Sequence, residues 1–172
     1  MTKETFVLWA RYNQAVNVKI EAILKTLSKE EWNKDLGGFF KSVRGIFSHI
    51  YIFDFNWLKR LSGLREFDLF KDEYFNRDTY SYSDILFEDL NEYLAKRPFL
   101  DEKMLTLFNE LKDSDMEAKL KFTSPNGNVQ ERVVNGLMMS GFNHDTFHRG
   151  TASLYLELLG RENDFAGFGV VL

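Results

Sequence analysis

The chain has 172 residues, a formal net charge of −4, and 44% hydrophobic and 28% charged residues, a balance typical of one folded globular domain covering residues 1–172. The acidic balance disfavours a nucleic-acid partner. No apolar stretch approaches the roughly 18 residues of a membrane helix, and no signal-like segment follows the first residues, so we expect a cytoplasmic protein without a membrane partner.

Apolar residues recur at helical spacing in four long segments, which predict four long helices. These segments cover 6–27, 42–61, 83–111 and 135–159. Pro98 lies within the third segment, where we expect a kink or a break. Gly160 follows the fourth segment and is a usual helix-terminating residue. The many aromatic residues, which include 17 Phe, are expected mostly to fill the core.

Shorter elements are predicted between these helices. Ser28 and Glu31 have the spacing of a capping box, which favours a short helical turn through Trp32. Two segments of alternating residues flank a Ser-Pro-Asn-Gly-Asn turn and predict a β-hairpin that leans on the helices: 119–123 and 129–133. Residues 63–82 are weakly periodic and are expected to form a long connection. The last dozen residues should pack as an irregular tail.

Three polar residues fall inside the apolar stripes of the first and second helices. Asn13 and Asn17 lie four residues apart on the first, and Asp54 is near the centre of the second. Buried amides and carboxylates require partners. The asparagines could fix helix register by structural hydrogen bonds, or face a polar group in the interior. For Asp54 the candidate partners are Asn13, Asn17, Arg11 or a metal-binding histidine.

The fourth predicted helix carries two of the three histidines, His144 and His148, four residues apart on one face. That spacing allows both imidazoles to reach one metal ion, but it also fits two partly buried histidines bonded to backbone or water. Asp145 lies about 100° around the helix from His144 and is expected to face solvent. The predicted inward line of this helix is Leu137, Ser140, Gly141, His144, Phe147, His148, Thr151, Tyr155, Leu158 and Leu159.

The third histidine, His49, borders the apolar face of the second helix. Three imidazoles with open coordination positions are typical of a catalytic site, because a closed structural site uses four ligands. Imidazole ligands do not select one metal, since Zn, Ni, Fe, Co and Cu all accept them. The chain has no cysteine, so any thiol at this site must come from outside the protein.

Several blocks of the sequence resemble the DinB-like family of helical proteins (DinB/YfiT-type), and together they cover most of the chain. The most specific blocks contain the histidines, in the strings Ser-His-Ile-Tyr-Ile-Phe-Asp-Phe-Asn-Trp-Leu and Asn-His-Asp-Thr-Phe-His-Arg-Gly. All the matching blocks, in family order, are 12–17, 36–38, 48–58, 121–127, 143–150 and 158–160. The chain departs from the family where members often have Trp near Ala15 and Gln in place of Thr151.

The resemblance implies an all-α fold, an antiparallel four-helix bundle with a long crossover connection and a small β-hairpin before the last helix. It also implies a divalent metal ion held by His49, His144 and His148, with Zn or Ni favoured and Fe, Co, Mn or Cu open. Relatives commonly pair through helix faces, so a homodimer is expected. Thr151 follows His148 on the same face of the helix. The replacement of the family's Gln by Thr at this position is therefore expected to lie near the metal.

The activity implied by the resemblance is that of a transferase that activates a low-molecular-weight thiol, such as bacillithiol, mycothiol or glutathione, for a small-molecule substrate. In that function Asp54, Asn13 and Asn17 would be pocket groups, and Tyr155 could hydrogen-bond a substrate. Two alternatives are a metal-dependent hydrolase and a non-catalytic stress-response bundle that binds metal. No residue is assigned as catalytic at this stage.

Overall fold

A computed structural model describes residues 1–124, 127–165 and 167–170. Within these ranges the chain forms six α-helices and one antiparallel hairpin: α1 (Lys3–Leu24), α2 (Lys29–Asn33), α3 (Val43–Leu61), α4 (Leu90–Glu110), α5 (Asp113–Met116), β1 (Lys119–Thr123), β2 (Val129–Val133) and α6 (Val134–Leu158). The protein is therefore mainly helical, as predicted, with the hairpin directly before the last helix. No helix of the described residues is both long and apolar enough to span a membrane.

The predicted helix-end signals are confirmed at two positions. The backbone N–H of Glu31 donates to Ser28 Oγ at 3.1 Å, and the Ser28 N–H donates to the Glu31 carboxylate at 2.8 Å, which is the reciprocal pattern of a capping box. After α6, Gly160 takes a left-handed φ of 74° and donates its N–H to the Glu157 carbonyl. Glycine adopts that conformation without steric cost, so the helix ends there.

The third long helix differs from the prediction. α4 begins at Leu90, where the Asp89 side chain accepts the Asn91 N–H at 2.9 Å, and not near Ser83. It continues through Pro98 without a break. Pro98 is exposed, so water can satisfy the carbonyl group that a proline leaves unpaired, which lowers the cost of the interruption.

The long helices pack in pairs that run in opposite directions. At one end of the α1–α4 pair, Lys3 Nζ donates to the Asn109 carbonyl at 2.7 Å, and nearer the other end Asn17 donates to Asp101. The α3–α6 pair is also antiparallel, because residue 49 contacts residue 148 whereas residue 57 contacts residue 141. α3 additionally contacts α2 and α4.

An aromatic cluster joins these helices in the core, as the composition predicts. Phe142 on α6 lies at its centre, with ring centroids 5.3 Å from Trp57, 5.6 Å from Phe108 and 6.3 Å from Phe6. Such aromatic pairs stabilise a fold beyond the area they bury. Because these rings come from α1, α3, α4 and α6, the cluster fixes the distances between all four long helices.

Gly141 sets the separation of α3 and α6 one turn before His144. A Cβ atom at this position would lie 2.3 Å from the Trp57 ring. We therefore expect Gly141→Ala to lower the free energy of unfolding by about 1–3 kcal/mol, the usual cost of overpacking a core. Urea denaturation would measure the change.

Gly150→Ala is the matched control on the same helix, since a Cβ there meets nothing within 4 Å. An alanine at an unstrained helical position should be neutral or stabilise by about 0.5–1 kcal/mol. Equal effects of the two substitutions would show that Trp57 does not restrict position 141.

The connection between α3 and α4 is tied to α3 at two points. Asn56 donates to the Tyr80 carbonyl at 2.9 Å and accepts the Tyr80 N–H at 3.0 Å. Ser48, two turns earlier, makes the same reciprocal pair with Leu86, both bonds being 3.0 Å. Residues 80–86 therefore run antiparallel along α3, and include Tyr82 between the two anchors.

The predicted hairpin is confirmed, with Lys119 paired to Val133 and Thr123 to Val129. It leans on the helices as expected, because Leu120 is buried and the Arg60 guanidinium of α3 lies 4.2 Å from the centre of the Phe122 ring. Part of the predicted turn, residues 125 and 126, and part of the predicted tail, residues 166, 171 and 172, lie outside the described residues.

α6 is buried along a different arc from the predicted one. Phe147 and Leu158, predicted to face inward, are 70% and 58% exposed, whereas Asp145 and Arg149 are buried. The cause is that α6 packs against two helices, with its histidine side on α3 and the adjacent side on α1. A single apolar stripe does not reveal the second contact.

Candidate metal centre

The three histidines of the protein meet between α3 and α6. One potential ligand atom from each of His49, His144 and His148 can be chosen so that all three lie within 4.8 Å of one another. The Nε2 atoms of His49 and His144 are 3.1 Å apart. Two nitrogens each about 2.0–2.1 Å from a tetrahedral zinc ion would be roughly 3.3 Å apart, so this spacing suits a shared ion.

The protonation state of the histidines also suits metal binding. Burial is the main cause that lowers the pKa of His49, His144 and His148 to about 4, and the neighbouring imidazoles lower the pKa of His49 and His148 further. At neutral pH the rings are therefore uncharged, which is the form that binds a metal. The Nδ1 atoms of His144 and His148 are buried without a hydrogen-bond partner among the described residues. The three-imidazole donor set and the spacing of the His49 and His144 Nε2 atoms fit a divalent ion.

Aromatic side chains form the walls of the centre. Phe53, one turn after His49, stacks on His144 with ring centroids 3.4 Å apart, and Phe40 contacts both His49 and His148. The three histidines are nevertheless only partly buried. The centre therefore combines apolar neighbours with histidine side chains that keep part of their surface exposed.

The turn that carries Phe40 has an unusual backbone. Gly37, Gly38 and Lys41 all have positive φ, of 79°, 68° and 65°. Tyr155 on α6 donates its hydroxyl to the Gly37 carbonyl at 2.7 Å. Tyr155, predicted as a group that bonds a substrate, thus holds the turn that places Phe40 over the histidines.

Asp145 lies behind the histidines and does not face solvent, so that prediction is wrong. It is 4% exposed, and its Oδ1 is 3.6 Å from His144 Nδ1. Its other oxygen accepts a hydrogen bond of 2.6 Å from Asn13 on α1, and Asn13 in turn accepts one of 2.6 Å from Arg149. α1 covers this side of α6, which is why the carboxylate is buried. The Asp145 carboxylate, held in place by Asn13, thus lies against the buried side of His144.

Asp54 has a partner that the sequence analysis did not consider. The Arg97 guanidinium from α4 donates to Asp54 at 2.5 Å and, through Nε, to Asp101 at 3.0 Å. Asn17 also donates to Asp101, at 3.0 Å. Burial and the nearby Asp145 carboxylate raise the pKa of Asp54, although Arg97 opposes the shift, and burial raises the pKa of Asp145 as well.

The predicted pocket residues therefore have different positions relative to the centre. Asn13 donates a hydrogen bond to Asp145, which is next to His144 in sequence. Asn17 donates to Asp101 of α4 instead. Thr151 is half-buried one turn after His148. Sequence reasoning missed Arg97 and Arg149. Arg97 could have been found, because it lies on the buried face of α4 and four residues before Asp101.

Taken together, the helical fold and the partly buried three-histidine group fit a protein that could hold a divalent metal ion. The sequence model of the DinB family matches residues 1–166, and the chain belongs to this family. A similar protein is "Protein DinB" of Bacillus subtilis (strain 168), which is 27% identical over 162 residues, covering 94% of this chain and 90% of that protein.

Proposed function

We propose that this protein is a metal-dependent transferase that uses a low-molecular-weight thiol as its nucleophile. The observation that supports the proposal most directly is the group of three neutral, partly buried imidazoles whose ligand atoms lie within 4.8 Å of one another. Three protein ligands leave coordination open for a substrate. With no cysteine in the chain, the thiol has to be an external molecule.

His49, His144 and His148 would hold the ion, with Zn or Ni favoured by the family resemblance. A divalent ion there would lower the pKa of a thiol and make a thiolate available at neutral pH. The chain's own contribution is orientation and exclusion of water. The Asp145 carboxylate, held by Asn13, lies against the buried side of His144, while Phe40 and Phe53 cover the rings with apolar surface.

A conjugation assay tests the proposal. Bacillithiol, mycothiol and glutathione would each be offered with 1-chloro-2,4-dinitrobenzene, using protein stripped of metal and protein reloaded with Zn or Ni. Reloading should increase the rate with at least one thiol above the uncatalysed rate. Equal rates for stripped and reloaded protein with all three thiols would reject a metal-dependent transferase.

Metal-assisted hydrolysis is the first alternative, and it is less favoured because no carboxylate of the described residues is identified as a general base at the histidines. Asp145, the nearest candidate by sequence, is buried against α1 and accepts a hydrogen bond from Asn13. A non-catalytic metal-binding bundle is the second alternative. It would be favoured by loss of the folded state on chelation, because the binding energy of a structural metal is folding energy.

Metal binding is expected to resist acid more than an ordinary histidine site does. Protons compete with the metal only below the pKa of the ligands, and burial lowers that pKa from the usual 6.5 to about 4 in all three histidines. The Zn dissociation constant should therefore change little between pH 7.5 and 5.5 and rise steeply as the pH approaches 4. Competition titrations against a chelator of known pH dependence measure this, and a steady weakening that begins at pH 6.5 would contradict it.

We further propose that the long helices α1, α3, α4 and α6 form the antiparallel four-helix bundle typical of the family, with residues 62–89 as the crossover. A homodimer through α6 is part of the same proposal. Phe147, Leu154 and Leu158 are exposed on one side of that helix. Sedimentation equilibrium would give twice the mass of 20.2 kDa for a dimer and this mass for a monomer.

A further inference from the structure

A polar cleft of about 610 Å³ lies between the end of α3, the segment 79–83 and the hairpin. Lys59 and Arg60 line it, together with hydroxyl side chains from all three elements. The lining residues include no Asp or Glu, although the whole chain has 26 of them and a net charge of −4. The cleft is thus a locally cationic site on an acidic protein.

The cations of the cleft are available to a ligand. Arg60 packs over Phe122 and has no ion pair among the described residues. Lys59 donates to the Arg77 carbonyl, a neutral partner that leaves its charge unbalanced. Arg77 lies at the edge, with its guanidinium 3.6 Å from the centre of the Tyr80 ring. Two acidic residues, Asp78 and Asp84, flank the lining segment 79–83 in sequence, and the Asp84 side chain accepts the Ser81 N–H at 3.0 Å.

The cleft and the metal centre are connected along α3. His49, Phe53, Asn56 and Arg60 follow one another at spacings of four, three and four residues, which places them on one face of the helix. At 1.5 Å per residue, Arg60 is about 16 Å along the axis from His49. Tyr82 bridges this distance, because it lines the cleft and its ring centroid is 6.4 Å from that of His49.

We propose that this cleft binds the acidic part of a small-molecule substrate, with a carboxylate at Arg60 and Lys59 and the reactive end directed past Tyr82 to the histidines. The ligand class is a polar molecule that bears a carboxylate. The distance from that carboxylate to its reactive end would be at most about 16 Å, the separation of Arg60 and His49 along α3. Guanidinium groups favour carboxylates through charge-assisted hydrogen bonds, and the surrounding hydroxyls serve the remaining polar atoms. The placement of the reactive end rests on the proposed thiol-transfer function, whereas binding of the acidic part does not.

S-Methylglutathione is a suitable probe, since it carries two carboxylates and a sulfur that cannot form a thiolate. Its dimethyl ester, in which both carboxylates are masked, is the matched probe. Isothermal titration of the full-length protein should show at least tenfold tighter binding of the acid than of the ester. Arg60→Gln should weaken binding of the acid about tenfold, as expected for loss of one charge-assisted contact.

Arg11→Gln is the matched control, because Arg11 is an exposed arginine on α1 outside the cleft, and it should leave both affinities unchanged. Arg60 also packs on Phe122, so a second variant leaves it in place. Thr79→Glu adds a carboxylate at an exposed lining position and should likewise weaken binding of the acid about tenfold.

Equal binding of the two probes to the wild-type protein, or equal effects of Arg60→Gln and Arg11→Gln, would overturn the assignment of the cleft. Either result would leave metal-dependent conjugation standing. Conversely, selective binding of the acid by a protein without conjugation activity would support the cleft and reject the proposed transferase.

Discussion

Arg97→Met should destabilise the protein by about 3–5 kcal/mol, the usual cost of removing one partner from a buried ion pair. Arg97 is fully buried and is the cation that Asp54 and Asp101 share. Methionine has a similar length, so packing is largely kept while two buried carboxyl groups lose their donor. Burial lowers the pKa of the Arg97 guanidinium, but the Asp101 and Asp54 carboxylates outweigh it and raise the pKa well above its ordinary value. The charge is therefore present at any pH at which the protein is folded.

Urea unfolding followed by circular dichroism would measure this effect. Arg11→Met, at an exposed position of α1, is the control and should change the free energy of unfolding by less than about 0.5 kcal/mol. Adding Asp54→Asn and Asp101→Asn to Arg97→Met should recover part of the loss, because the variant then buries no unpaired charge. A decrease of less than about 1 kcal/mol in the free energy of unfolding for Arg97→Met alone would contradict this account. It would mean that the ion pairs of Arg97 with Asp54 and Asp101 do not hold α3 and α4 together.

His144→Ala should weaken zinc binding by more than about a hundredfold. Removing a residue that only hydrogen-bonds to a metal ligand typically lowers metal affinity about 10–100-fold. His144 is itself a candidate ligand, with its Nε2 atom 3.1 Å from that of His49, so its loss should cost more. The same variant removes the ring on which Phe53 stacks, so the folded state should be verified by circular dichroism. A chromophoric chelator in competition with the protein would give the dissociation constant.

Asn143→Ala is the control for that experiment, since Asn143 is the exposed residue before His144 on the same helix. It should bind zinc as the wild type does. A His144→Ala variant that kept wild-type affinity, with its fold intact, would remove His144 from the ligand set.

Helical periodicity, capping residues and glycine positions are local properties, and these parts of the fold could be predicted from the sequence. The α2 capping box, the end of α6 at Gly160 and the pairing of 119–123 with 129–133 follow from residues within a few positions of each other. The i, i+4 spacing of His144 and His148 is equally local. His49 could be added because it borders the apolar face of the second helix, and the family resemblance then related its segment to the fourth helix.

The environment of Asp145 could not be predicted, because it depends on which helix covers that side of α6. One residue after His144 the chain turns by about 100°, and in an isolated helix that direction would be solvent. Here α1 provides Asn13, and Arg149 completes the hydrogen-bonded group. The position of Phe40 over the histidines is similarly non-local, since it depends on a turn held by Tyr155 of α6.

The predicted start of α4, near Ser83, was wrong for a related reason. Ile85 and Leu86 have helical spacing relative to Leu90 and Leu94, but Leu86 is bound to Ser48 by two backbone–side-chain hydrogen bonds and Ile85 is 59% exposed. These contacts to α3 hold residues 85 and 86 outside the helix. They also place Tyr82 between the metal centre and the polar cleft.

Elemental analysis of protein purified without an affinity tag, compared with a His49→Ala variant, tests the three-histidine metal centre most directly. About one equivalent of a divalent transition metal per chain is expected in the wild type, because one potential ligand atom from each histidine lies within 4.8 Å of the others. The variant should retain little or none. A wild-type protein without stoichiometric metal, or a His49→Ala variant with unchanged content, would contradict the account.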